Sequence, residues 1–171
     1  MHSQNIALGP FLAFIKEVAD QELDIMLEVK DKNLSAVKCH NLVRTDLRRE
    51  HLTEEWARYK YLTLEHNPRI YQDIRGLLRE HAPSPIAFYS RLEEALASTL
   101  TAGHVRNAAQ HVWGYMDDLA TAGENKKILA GLAGLSDPVA QNKLSSLKKA
   151  MFKIVLRNNL HYLENNLYFY C

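Results

Sequence analysis

Residues 103–116, GHVRNAAQHVWGYM, carry His104, Asn107, His111 and Tyr115 within a helical apolar pattern. Histidine titrates near neutrality, so it can move protons, donate a hydrogen bond or bind a metal. Asparagine both donates and accepts through one amide, and tyrosine offers a flat ring with a polar tip. At about 100° per residue, Val105, Ala108, Ala109, Val112, Tyr115, Met116 and Leu119 share one apolar arc, which is expected to face the core. His104, Asn107, His111, Gly114 and Asp118 run along its border. His104 and His111 stand about 10 Å apart along a helix axis, whereas two histidines that share a zinc ion sit at i and i+4. No metal site is expected from them. Gly114 costs a helix about 1 kcal/mol relative to Ala, which close packing of another helix would explain.

A second stretch, RYKYLTLEHNPRIY at residues 58–71, places Lys60 four residues after Trp56 and four before Leu64, on an otherwise apolar ridge. Its methylene stem can lie on the core with the ammonium reaching water, or the ammonium can anchor an anion. His66 follows near Tyr59, just before Asn67-Pro68. General acid or base chemistry by His66 or His111 would need them within hydrogen-bond reach of each other or of one pocket. The chain has no glycine-rich phosphate loop, G-x-S-x-G elbow, H-E-x-x-H or cysteine pair with zinc spacing.

These two blocks resemble the YbgA-like family, a bacterial domain of uncharacterised function found alone or fused to thiouracil desulfidases. The likeness rests on Arg58, Tyr59, Lys60, His66, Asn67 and Tyr71, and on Asn107, His111, Gly114 and Tyr115, with a weaker echo at Tyr162, Leu163, Tyr168 and Phe169. It covers roughly 40–171 and leaves 1–40 outside. Val105 stands where the family commonly has a histidine, and Asn166 where it tends to have Gln. The resemblance implies an all-α accessory or binding domain, recognising a thiolated nucleobase, nucleotide or RNA in sulfur-removal pathways beside a desulfidase-type partner protein. The desulfidase's cluster-binding cysteines have no counterpart here, so no cofactor is expected. The implied ligand-binding set is Lys60, His66, Tyr71, Asn107, His111 and Tyr115: Lys60 against an anionic group, His66 and Asn107 as hydrogen-bonding groups, Tyr71 or Tyr115 as a stacking surface. Two other readings compete: a stand-alone enzyme using a His/Lys acid–base site, with His66 and His111 as catalytic candidates, and a structural homodimer.

The elements that must hold these residues read as helices throughout. Pro10 suits a first helical turn, and Phe11, Ile15, Val18, Ile25 and Val29 extend one long amphipathic pattern. Ser35 is expected to cap a second helix and Thr53 a third, while Asn67-Pro68 and Ser84-Pro85 open two more. The 103–116 helix comes next, then a short one near 124–133 and a long one from Pro138 to Leu160. No segment alternates convincingly as a strand would. The expectation is one all-α domain over 1–171, a bundle of seven or eight helices.

Composition agrees with a globular chain: 47% of the 171 residues are hydrophobic, and the formal net charge is +1. That balance supplies no global field toward nucleic acid or membrane. Charge is uneven, however, with three basic and six acidic residues in 1–33 against five basic and one acidic in 138–171. Such asymmetry is what a homodimer would use, and the aromatic tail HYLENNLYFYC either joins that contact or docks as a final apolar strip. Lys149, Lys153 and Arg157, at four-residue steps, form a stripe that reads first as a solvated helix face, with contact to phosphates as the alternative. Cys39 and Cys171 cannot build a disulfide framework, and no apolar run of about 18 residues occurs. The location expected is cytoplasmic, without membrane contact.

Overall fold

The computed structural model describes residues 3–31 and 33–170. Among them are nine α-helices and no strand: α1 Leu8–Glu17, α2 Asn33–Val43, α3 Arg49–His66, α4 Pro68–Leu77, α5 Pro85–Leu96, α6 Ala102–Trp113, α7 Ala122–Ala133, α8 Gln141–Arg157 and α9 His161–Glu164. Short 3-10 turns occupy Asp117–Leu119 and Leu167–Phe169. The all-α architecture read from the sequence is therefore the observed one. No helix among the described residues is long and apolar enough to cross a membrane.

Helix starts follow side chains that satisfy orphan amides. The Asn67 side chain accepts from the amides of Arg69 and Ile70 ahead of Pro68, and Ser84 accepts from Ala87. Thr101 caps α6, and Thr121 exchanges hydrogen bonds with Glu124 at the start of α7. Two expected caps are displaced. Thr53 lies inside α3 and donates to the Arg49 carbonyl at 3.0 Å. Ser35 lies inside α2, where its hydroxyl accepts from the Ile6 amide and donates to Asp31.

The long first helix expected from Pro10 to Val29 is also corrected. α1 ends at Glu17, and residues 22–29 have no regular secondary structure. Acidic residues at 17, 20, 22 and 24 would crowd the negative end of a continuing helix. Leu23, Ile25, Leu27 and Val29 alternate with Asp24, Met26 and Glu28, a spacing that suits extended chain better than helix. This segment, α1 and α2 border a groove of about 840 Å³ lined by Phe11, Ile25, Val29, Cys39 and Val43 among others. Burial pushes the Cys39 thiol above its ordinary pKa; Cys171 lies outside the described residues.

α3 is the axis of the molecule. Tyr61, Leu62, Thr63, Leu64 and Glu65 are all buried, so this stretch is covered on every side rather than along one stripe. One side, with Trp56, Tyr59 and Leu62, packs on Ile70 and Ile74 of α4 and Phe88 and Leu92 of α5. The other, with Tyr61 and Leu64, packs on Val105, Ala108 and Val112 of α6, on α7 and α8, and on Tyr168. α3 and α6 run antiparallel: His104 in the first turn of α6 meets the carbonyl of His66 at the end of α3, while Tyr115, beyond α6, meets Tyr61.

Candidate functional site

Where the far end of α6 crosses the middle of α3, four side chains gather. The Lys60 ammonium stands 4.5 Å from the centre of the Tyr61 ring and 5.1 Å from that of Tyr162. Tyr115 meets Tyr61 edge-on at 6.1 Å and lies against Tyr162 at 5.8 Å with an interplanar angle of 32°. A cation over a ring face is worth about 0.5–1 kcal/mol at exposed sites and more where water is excluded. Tyr61 is buried, whereas Tyr115 and Tyr162 are 49% and 45% exposed. The cluster therefore has a rigid floor and an open aromatic surface.

Burial, and then the neighbouring Tyr115, push the Tyr61 hydroxyl far above its ordinary pKa, so it remains a neutral phenol. Tyr71 lies within electrostatic reach of that hydroxyl. Its own ring packs at 5.3 Å on Trp56 and carries the Arg75 guanidinium at 5.7 Å. Tyr162 is delivered by α9, whose placement follows from the chain end. Leu163 is buried, and the fully buried Asn166 donates to the Ala57 carbonyl at 2.7 Å and accepts from the Tyr168 amide at 3.1 Å. The tail thus docks as a core strip, with Leu163, Leu167 and Tyr168 buried.

A second polar group forms at the opposite end of α6. His66 Nδ1 donates to the Ser98 carbonyl at 3.1 Å, Asn67 Nδ2 donates to Ser98 Oγ at 3.1 Å, and His104 Nδ1 donates to the His66 carbonyl at 3.2 Å. A carbonyl can only accept, so each imidazole carries its proton on Nδ1. Burial lowers the His66 pKa, with Lys148 adding in the same direction, so the ring is neutral at pH 7. Asn107 is half-buried and His111 exposed, and neither side chain hydrogen-bonds to another described residue. Asn107 and His111, four residues apart, share one side of α6, and Tyr115 follows just beyond its end.

The six residues singled out from the sequence therefore divide. Lys60 and Tyr115 meet in the aromatic cluster, with Tyr71 at its edge. Asn107 and His111 lead toward that cluster along α6, while His66 belongs to the hinge with Ser98 and His104. His66 and His111 lie at opposite ends of α6, out of hydrogen-bond reach of one another. Two details of the helix reading are corrected. Tyr115 and Leu119 are 49% and 43% exposed, because α6 ends at Trp113 and the chain turns there before either would reach the core. Gly114 is the C-cap, and a Cβ there would meet only the Gln110 and His111 carbonyls at 3.8 Å, so no neighbouring helix requires a glycine.

Sequence reasoning missed Tyr61 and Tyr162 as cluster members, and it missed a buried charge pair. Glu65 Oε2 lies 2.6 Å from Lys148 Nζ, with side chains 1% and 5% exposed, and that ammonium lies 4.5 Å from the centre of the Tyr168 ring. Glu65 Oε1 and the Tyr168 hydroxyl are buried with no hydrogen-bond partner among the described residues. Burial drives the Glu65 pKa up while Lys148 opposes it. Lys148 adjoins the Lys149–Lys153–Arg157 stripe in sequence, yet it is buried. The available signal was its position, four residues before the apolar Phe152 and one after Leu147. The basic stripe on α8 is also changed: Arg157 is held by both Glu124 oxygens, at 2.6 and 3.0 Å, and by the Leu119 carbonyl at 3.1 Å. Among the described residues, no group of three or more His, Cys, Asp or Glu side chains is placed to hold a metal ion.

Residues 60–171 match a family model described as a protein of unknown function, DUF1722. That span begins at Lys60, twenty residues later than the likeness read from the sequence. Over 100 residues, 57% of this chain, the sequence is 36% identical to a UV DNA damage endonuclease of Clostridium perfringens (strain 13 / Type A). The matched stretch is 23% of that protein, so the chain spans well under half of its relative's length. No solved structure matches the chain.

Proposed function

The chain belongs to the DUF1722 family, and we propose that it is a nucleic-acid-recognising accessory domain whose recognition surface is the aromatic cluster at the end of α6. The observation that carries this reading is the pairing of Lys60 with half-exposed Tyr115 and Tyr162 above buried Tyr61. Stacking of an unpaired base on an aromatic side chain is worth about 1–3 kcal/mol, and a nearby ammonium attracts the phosphate attached to that base. Asn107 and His111, on the stretch of α6 that leads to Tyr115, supply directional hydrogen bonds to the base edge. Tyr71 extends the apolar margin. His66 orients the start of α6 through Ser98 and His104 and does not touch ligand.

The likeness to a protein whose name refers to DNA damage supports a nucleic-acid ligand. Nothing of that protein's endonuclease activity is transferred, because most of its length lies outside the match. The finer identity of the base follows from the resemblance to modules fused to thiouracil desulfidases: a thiolated pyrimidine is the first ligand to try against its ordinary counterpart, and a desulfidase-type enzyme is the partner to try with it. The acid–base reading lacks support from geometry, since its two histidines stand apart. A tail-mediated homodimer has less support, because Leu163, Leu167 and Tyr168 of the tail are buried in the chain's own core.

A thermal-shift screen with 2-thiouridine, uridine, thymidine and short single strands of DNA and RNA tests this reading. We expect the melting temperature of the wild-type chain to rise with a nucleic-acid ligand, and the rise to disappear in Lys60→Ala and Tyr115→Ala. A rise that both variants retain would remove the cluster from consideration.

A further inference from the structure

α7 and α8 leave two adjoining hollows of about 420 and 370 Å³, lined by none of the residues of the aromatic cluster, that share Lys127, Ile128, Ser146 and Ala150. Ile128 and Leu147 are the buried residues of their lining, with Gly131, Ser146 and Ala150 as small neighbours. A Cβ on Gly131 would come within 3.2 Å of a Leu147 methyl, so the glycine is what lets the two helices approach this closely. The rim is basic: Lys127 comes from α7, and Lys149 and Lys153 from one face of α8, about 6 Å apart along its axis. All three are exposed, and among the described residues none has an acidic partner.

Glu124 is the one acidic residue in the lining, and it is already committed. Both of its oxygens bind Arg157, and one also accepts from the Thr121 amide and hydroxyl. That engagement leaves the three lysines facing open space without internal neutralisation. It also explains why Arg157, which continues the stripe in sequence, takes no part in the groove: it is the counter-ion that removes Glu124 from the field.

We infer that this groove is a binding site for the phosphodiester backbone of a nucleic-acid strand, separate from the aromatic cluster. It rests on the nucleic-acid reading above for the class of ligand, but not on the tyrosines. Flexible ammonium groups are suited to phosphates as point charges, and they read no sequence. The lining has no aromatic ring on which a base would stack. The groove therefore supplies affinity that is independent of base identity and falls with salt, while base discrimination belongs to the end of α6.

An abasic single-stranded oligodeoxynucleotide, which has phosphates and sugars but no bases, isolates this site, and a free nucleoside isolates the other. The wild-type chain should bind the abasic strand with an affinity that falls with salt. The triple variant Lys127→Ala/Lys149→Ala/Lys153→Ala should lower the slope of log affinity against log salt by about 2, from about 0.7 per phosphate contact on a single strand. Arginine at the same three positions should restore it. Tyr115→Ala/Tyr162→Ala should bind the abasic strand as the wild type does. If the wild type does not bind the abasic strand, or the triple alanine variant binds it with an unchanged slope, the groove is not a backbone site. Loss of nucleoside binding by the wild type would count against the aromatic cluster alone.

Discussion

Lys148 sits in the middle of a hydrophobic core with its ammonium against Glu65 and the Tyr168 ring. Removing water from two charges costs several kcal/mol each, and their attraction repays this only when both remain. Glu65→Gln or Lys148→Met should each destabilise the fold by about 3–5 kcal/mol, the usual consequence of stranding one buried charge. The double variant should lose distinctly less than the sum of the two, because residues in direct contact couple. Urea unfolding of the four proteins measures this, and strictly additive losses would mean the pair is not a unit. The same pair bears on the candidate site, since Glu65 precedes His66 and Lys148 helps hold that imidazole neutral. At this scale the sequence was half legible. Lys60, His66, Asn107, His111 and Tyr115 stood out by residue type, but a lysine in a helix carries no mark of whether a glutamate 83 positions away will meet it.

Helix starts were the most readable elements, because Asn67-Pro68 and Ser84-Pro85 state their geometry locally. Helix ends were less so. α1 stops at Glu17 against an apolar pattern that continues, and α6 stops two residues before Tyr115, which turns a presumed core residue into half of an exposed ring pair. Both outcomes depend on where the chain must go next, which a 3.6-residue period does not encode. The joint between α7 and α8 is a further case, since Glu124 serves both as the capping-box acid of α7 and as the partner of Arg157 at the end of α8. These contacts hold its carboxyl down to about 2 from 4.5. A carboxylate whose folded pKa is depressed adds stability above its unfolded pKa and loses it as pH falls toward the folded value. The stability of the wild type should accordingly decline between pH 4.5 and about 2 more steeply than that of Glu124→Gln. Chemical denaturation across that range checks the difference, and parallel curves would refute it.

Across the whole molecule, the two proposed binding surfaces draw on different residues and different chemistry. The family match from Lys60 onward includes both the aromatic cluster and the lysine groove. The acidic segment at 22–29, without regular secondary structure, and the apolar groove beside it precede that match, and the relative shares 57% of the chain. A near-zero net charge concealed this layout, because acidic residues before position 34 offset the basic ones after 138. The tail was open in sequence between a free aromatic surface and a docked strip; Asn166, bonded to the Ala57 carbonyl, decides for docking and so carries Tyr162 to Lys60. The central claim is that these rings receive a base. It is tested most directly by the affinity of a short base-containing single strand for the wild type and for Tyr115→Ala/Tyr162→Ala at one salt concentration, with the unfolding midpoint measured alongside. Loss of one stacked base predicts about a 10-fold to 100-fold weaker complex and a midpoint little changed for two half-exposed rings. Equal affinity in a folded double variant would contradict the account.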